Sequence, residues 1–362
     1  MISGSKIRQA REVRQLTQTE LARDTGVNQS TIASVESGRM IASDELLAKI
    51  SFRTGFPSSF FREGNEEDFP LGSLVLYRAR AAVTAHERTF ARAYAKTVYQ
   101  CAAKMAAAFT PLPLRLPQLS ESAATSASIT RAELGLSPDT PVADLIHSVE
   151  KAGVLALALP IELMHIDAFS VWVGEDDRRP VIVLSAGKPP DKLRFSVAHE
   201  VGHLVMHQML KGSVKTVETE ADRFAAEFLL PEGALRQELL PPLTLTGLIA
   251  LKRRWKVSIQ TLITRARELS IITGRQRTYL FQQLSRHGWR KSEPISGELP
   301  LEKPRALRQM AETLYGNPID FPRMVNDLRL PEQLLREAVE SHRGETVSLP
   351  RVIPFGGRTE EV

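Results

Sequence analysis

Residues 194–207 read RFSVAHEVGHLVMH, and the spacing of their imidazoles suits one regular conformation. His199 and His203 stand four apart with Glu200 between them, an H-E-x-x-H pattern. On an α-helix, residues four apart lie ~40° apart around the axis, so both imidazoles share one face. Two neutral imidazoles placed this way bind one Zn²⁺ at about 2.0–2.1 Å. Glu200 is offset by one position, so its carboxylate is directed to a water on the metal and not to the metal itself. Zinc lowers the pKa of such a water towards ~7, and a carboxylate base takes its proton and passes it to a leaving amine. Val197, Val201, Leu204, Val205 and Gln208 form a helical stripe, which puts the histidines at the border of a buried face. Pro189-Pro190 stops what precedes this helix, and Asp191 is its expected N-cap. His207 extends the histidine row and is read as a residue behind the ligands or at the surface. The competing reading is an accidental match on an amphipathic helix.

A third ligand is offered fifteen residues beyond His203, where ETEADRFAAEFLLP spans 218–231. Glu218 and Asp222 are an i,i+4 pair on one face of a second helix. A carboxylate from that helix completes a His₂Glu set and leaves a fourth position open for catalysis. Asp222 is placed to accept a hydrogen bond from the outer nitrogen of a ligating histidine and so fix its tautomer. Glu218 and Glu220 point ~200° apart, so only one of them faces the metal. Glu218 is the expected ligand because it shares its face with Asp222. The bland alternative is an acidic, solvated helix face. Cys101 is the one cysteine in the chain, which excludes an intrachain disulfide and a cysteine-built metal site. Any metal, one Zn²⁺ per chain, must then use His and carboxylates.

RFSVAHEVGHLVMH followed by ETEADRFAAEFLLP, with FSVWVG and RPVIVLSAG upstream, is similar to the ImmA/IrrE family of metallopeptidases over roughly residues 140–275. The resemblance implies a small twisted sheet beside two zinc-bearing helices, an α+β zincin-like domain of gluzincin type. It carries His199, His203 and Glu218 over as zinc ligands and Glu200 as general base. It also implies a protein substrate, a repressor or antitoxin whose cleavage derepresses genes in a stress or mobile-element response. The family's usual Leu or Phe after the glutamate is Val201 here.

A different grammar governs residues 16–39, LTQTELARDTGVNQSTIASVESGR. Thr17 caps a helix with Glu20 three residues on, a capping box. Leu21 and Ala22 suit a helix crossing, Gly26 supplies a turn, and Val27 plugs it. Gln29, Ser30 and Thr31 open a second helix with Ile32 and Val35 on its inner face, and Gly38 ends it. The segment resembles a lambda-repressor-like, Xre-type helix-turn-helix domain over about residues 5–61. That resemblance implies double-stranded DNA as partner, with Gln18 and Gln29 together near it and Ser30 and Thr31 beside them. It also raises homodimerisation on two half-sites. Residues 1–62 hold nine Lys/Arg against six Asp/Glu, which suits a polyanion. The alternative is a helical bundle used for protein contact.

The chain therefore divides into 1–65, the helix-turn-helix domain; 66–139, a connector; 140–275, the peptidase-like domain; and 276–362, a helical region. A boundary is expected at 63–72 and an alanine-rich helix over 85–109. The Pro/Ser-rich stretch 110–128, TPLPLRLPQLSESAATSAS, reads as a linker or exposed loop. Residues 141–152 read as a helix ended by Gly153. VLALALP, FSVWVG and PVIVLS read as strands of one small sheet. Helices are expected over 191–210, 217–230 and beyond about 233, where Lys252-Arg253-Arg254 is a basic run. Residues 276–342, with Trp289, Arg290 and Lys291, suggest no chemistry, and 343–362 read as frayed. No stretch approaches the ~18 apolar residues of a membrane span, and the N-terminus has no secretory apolar region, so a cytoplasmic location without membrane is expected. The function expected is a DNA-binding regulator with zinc endopeptidase activity. Its rivals are a transcription factor whose peptidase-like domain senses without cleaving, and an antitoxin-like regulator.

Overall fold

Four short helices form at the N-terminus, α1 (Gly4–Val13), α2 (Gln18–Thr25), α3 (Gln29–Glu36) and α4 (Asp44–Thr54), and side-chain caps from Thr17 and Ser43 open α2 and α4. Thr17 Oγ1 accepts the Glu20 amide at 3.1 Å while the Glu20 carboxylate accepts the Thr17 amide at 2.8 Å. This reciprocal box satisfies two amides that the first helical turn leaves without partners. Gly26 closes α2 in the left-handed region at φ 73°, and the chain turns directly into α3. Ile7, Leu21, Ile32, Leu47 and Ile50 fill the space between these helices.

The computed structural model describes residues 2–62, 69–70, 84–163, 165–174, 179–207 and 213–343. After the first four helices come α5 (Ala85–Ala106), α6 (Ala123–Glu133) and α7 (Leu145–Lys151). The strands β1 (Leu155–Ala158), β2 (Ala168–Val173) and β3 (Arg179–Leu184) follow. Then come α8 (Pro190–Met206), α9 (Val214–Leu229), α10 (Glu232–Glu238), α11 (Leu245–Trp255), α12 (Ile259–Glu268) and α13 (Gly274–Arg286). The described chain closes with α14 (Ala306–Tyr315), α15 (Phe321–Leu328) and α16 (Glu332–Ser341). An all-α helix-turn-helix domain is thus followed by an α+β domain with a helical C-terminal extension.

The strand order is β1-β3-β2, with β1 parallel and β2 antiparallel to β3. Both faces of this sheet are covered, which explains the nearly unbroken apolar runs of its strands. Leu157, Phe169, Val171, Val181 and Val183 share a core with the helix-turn-helix helices, α5 and α14–α16. Ala156, Ala168, Ile182 and Leu184 face the other way, into a core with α8, α9 and α11–α13. Helix α5 touches α1, α14 and β1. Gln9 on α1 donates to Thr97 Oγ1 and Gln100 Oε1 of α5, both at 2.8 Å and buried. The helix-turn-helix helices are therefore docked through α1 on α5 and so on the body of the protein.

Two expectations need correction. The stretch 110–128 is not loop throughout: from Ala123 it is α6, whose N-cap Ser122 accepts the Thr125 amide at 3.2 Å. The three prolines lie before that cap, and the alanine-rich remainder favours helix once it has α9 to pack on. Arg131 of α6 is buried and donates to the Phe228 carbonyl at 2.6 Å. Asp191 is not the N-cap of α8. Pro189 holds that position, with Pro190 in the first turn where its missing N–H costs nothing. Asp191 is buried instead, 2.6 Å from Lys252 Nζ. The expected boundary at 63–72 falls outside the described residues except for Phe69 and Pro70, and 208–210 and 344–362 also lie outside them.

The basic run in α11 splits by environment. Lys252 is fully buried, with Glu293 Oε2 and Ser296 Oγ each 2.7 Å from its ammonium in addition to Asp191. Arg253 projects outward, its side chain 64% exposed. Removing one partner from a buried ion cluster strands the others without compensation. Lys252→Ala is expected to cost about 3–5 kcal/mol of stability, and Arg253→Ala less than about 0.5 kcal/mol. Urea unfolding of the two variants checks this ranking; equal losses would show that the cluster carries no special weight.

Candidate functional site

Helix α8 sets His199 and His203 one turn apart with their Nε2 atoms 3.0 Å from each other. Helix α9 brings Glu218 to the same point, with Oε1 3.4 Å from His203 Nε2 and Oε2 3.9 Å from His199 Nε2. One ligand atom from each of the three residues lies within 4.8 Å of the others. Donors held tetrahedrally about one zinc ion stand about 3.3 Å apart, so this donor set fits a single small cation. Glu200 is buried beside them, its Oε2 accepting a hydrogen bond from Ser170 Oγ of β2 at 2.7 Å.

The outer ring nitrogens explain why the inner ones converge. His199 Nδ1 is 2.9 Å from Asp222 Oδ1, and His203 Nδ1 is 3.0 Å from His207 Nδ1. With both Nδ1 atoms engaged, the Nε2 atoms are left facing the shared point. Burial disfavours charge on His199, yet hydrogen bonds to Asp222 and Glu218, with the field of Glu200, overcome it and raise its pKa to about 10. The carboxylates around this ring thus favour positive charge there, as a cation site requires.

The structure brings His199, His203, Glu218, Glu200 and Asp222 into one cluster. Sequence reasoning missed two supports of it. Ser170 was legible only as the polar residue in the apolar strand AFSVWV. Glu220, which shares its helix face with no second carboxylate, has its Oε2 3.0 Å from His207 Nε2. Its signal was His207 itself, one turn beyond the second histidine.

At the N-terminal domain, Gln29 Nε2 donates to Gln18 Oε1 at 2.7 Å, and Gln18 Nε2 donates to Glu36 Oε2 at 2.8 Å. Glu36 is buried and held by Arg11 Nε at 2.5 Å. The two glutamines therefore meet where α2 and α3 begin. Gln29 and Ser30 are exposed, while Gln18 and Thr31 are half-buried.

Residues 149–267 match the Peptidase_M78 family, described as the IrrE N-terminal-like domain, and residues 7–55 match a helix-turn-helix family. The order of the two matched segments, a helix-turn-helix followed by an IrrE-like domain, matches the ImmA/IrrE architecture. No curated protein matches its sequence. Among solved structures it is similar to Bacillus thuringiensis PlcR in complex with the peptide PapR7 and DNA, at 12% identity, covering 94% of this chain and 95% of that one. The TM-score is 0.16, which carries no inference about fold or ligand. The IrrE-like match spans β1–β3, α8 and α9, the elements that hold the cluster.

Glu218→Ala is expected to abolish stoichiometric zinc binding. Glu220→Ala should still fill the site at saturating metal, because Glu220 is not a donor. Metal analysis of the purified variants decides this, and the reverse ranking would refute the donor assignment.

Proposed function

We propose that the chain is a DNA-binding regulator with zinc-dependent endopeptidase activity, which cleaves a repressor or antitoxin-like protein to control transcription in a stress or mobile-element response. One observation carries the reading: a His₂Glu donor set with a buried, non-ligating Glu200 beside it, inside an IrrE-like domain. His199, His203 and Glu218 would hold the zinc, one per chain, which when bound supplies Lewis acidity to polarise the scissile carbonyl. Glu200 takes the proton of the attacking water and delivers it to the leaving nitrogen. Ser170 aims that carboxylate through its hydroxyl, and Asp222 fixes the ring of His199.

In the division we propose, residues 1–65 read DNA and 140–275 cleave, with α6 of the connector 66–139 packed on α9. Gln18, Gln29, Ser30 and Thr31 face the duplex, and a homodimer presents two such helices to two half-sites. Among the described residues no helix is long and apolar enough to cross a membrane. We place the protein in the cytoplasm, where both its DNA and its substrate would be found.

Glu200→Gln is expected to keep metal and fold while lowering cleavage by about 10²–10⁴-fold, the usual contribution of a positioned base. Cellular levels of the partner repressor under the inducing stress give the readout. Equal loss of the repressor with wild type and variant would favour a sensor that does not cleave.

The full chain should bind duplex DNA with an affinity that falls as salt rises, because phosphate contacts release counterions. The intact protein is the right material, since excising residues 1–65 would strip α5 from α1. Gln29→Ala and Ser30→Ala should reduce discrimination between sequences more than non-specific affinity. Gel shifts showing no duplex binding even at low salt would make the domain a protein-contact module.

A further inference from the structure

The two ligating histidines are supported unequally. Asp222 reaches His199 Nδ1 directly, at 2.9 Å. His203 Nδ1 meets a third imidazole, His207 Nδ1, at 3.0 Å. His207 in turn places Nε2 3.0 Å from Glu220 Oε2. His207 stands at the end of α8, where the backbone leaves the helix at φ −119° and ψ 40°, and its side chain is 7% exposed. Glu220 lies two positions from Glu218 on α9, yet it reaches this end of α8 and not the donor cluster.

We infer that His207 and Glu220 are positioning residues for His203, a relay that keeps its Nδ1 protonated and its Nε2 lone pair turned to the metal. The inference rests on the metal-centre reading above and adds to it the support of the second histidine. Proton counting gives the direction. Two facing Nδ1 atoms share one hydrogen bond only if one of them carries a proton. A carboxylate only accepts, so the hydrogen bond to Glu220 draws the His207 proton to Nε2. A neutral His207 then has a bare Nδ1, which must accept. His203 Nδ1–H is therefore the donor, and a neutral His203 is left with its lone pair on Nε2. Asp222 does for His199 in one step what Glu220 does for His203 in two. Such outer partners orient the ligating rings and raise their basicity.

The rival explanation is a clamp that fastens the end of α8 to the start of α9 without affecting the metal. Full-length apo-protein separates the two. Zn²⁺ affinity would be measured by chelator competition, Co²⁺ binding by its visible absorption, and the apo-protein's Tm in parallel, for wild type, Glu220→Ala, Glu220→Gln and His207→Phe. The relay requires Glu220→Ala and His207→Phe to weaken Zn²⁺ binding about 10-fold or more and to alter the Co²⁺ spectrum, with the apo Tm little changed. Glu220→Gln should recover most of the affinity, because its side-chain oxygen still accepts from His207. Variants with unchanged affinity and spectrum but a lowered Tm would overturn the relay in favour of the clamp. A Gln variant as weak as the Ala variant would overturn it too. Failure of the wild type to bind either ion would overturn the metal centre itself, a result distinct from failure of the relay.

Discussion

A methyl group on residue 202 would lie 3.1 Å from the ring of Phe224, and its absence lets α8 and α9 approach as closely as they do. That approach is the constraint on which the cluster depends. Glu218 reaches the histidine pair from α9 only while the helices keep this separation. Phe224 and Phe228 stack with ring centroids 5.7 Å apart, and Glu218, Glu220 and Asp222 of the same helix reach the histidines of α8. Overpacking at such a contact forces side chains or backbone to shift. Movement of a few tenths of an ångström would be felt directly in the spacing of the donor atoms.

The sheet is the floor beneath this arrangement. One of its faces supports α8, and β2 contributes the Ser170 hydroxyl that holds Glu200. Its other face belongs to a core that continues through α5 and the C-terminal helices into the helix-turn-helix domain. The described part of 276–362, which suggested no chemistry as sequence, therefore has a structural task. Helix α14 packs on α5 and β1, and α16 packs on α14, so they cover apolar surface on that side of the sheet. His342, just after α16, accepts the Ala158 amide of β1 at 3.1 Å and so caps an edge of the sheet.

Buried charge is handled in two ways. In the cluster, Glu200, Glu218 and Asp222 surround His199 and create a preference for positive charge, a functional polarity. Around Lys252, two carboxylates and a hydroxyl take hydrogen bonds from one buried ammonium, which ties the start of α8 to α11 and to the segment around Glu293. A buried ion cluster of this kind helps fix which segments meet, because separating them strands a buried ammonium without its carboxylates.

Read from sequence alone, the features that hold are those governed by short-range geometry. His199 and His203 share a face because a helix repeats every 3.6 residues. Thr17 and Glu20 form their box, and Gly26 its left-handed turn, because each interaction spans only a few residues. The strands were legible from their apolar, β-branched runs. What only the tertiary structure decided is which distant groups meet. His207 with Glu220 and Ser170 with Glu200 are contacts 13 and 30 residues apart that no periodicity encodes, and although Asp222 is expected beside a ligating histidine, packing chose His199. Asp191 misled for that reason: its type and position suited a cap, but Lys252, 61 residues away, offered a buried charge to neutralise. The Ser/Ala-rich half of 110–128 misled similarly, since its alanines only permit a helix and its packing on α9 lies far off in the sequence. Local geometry placed single elements, and the packing of α8 on the sheet and of α9 on α8 determined which of their side chains form the site.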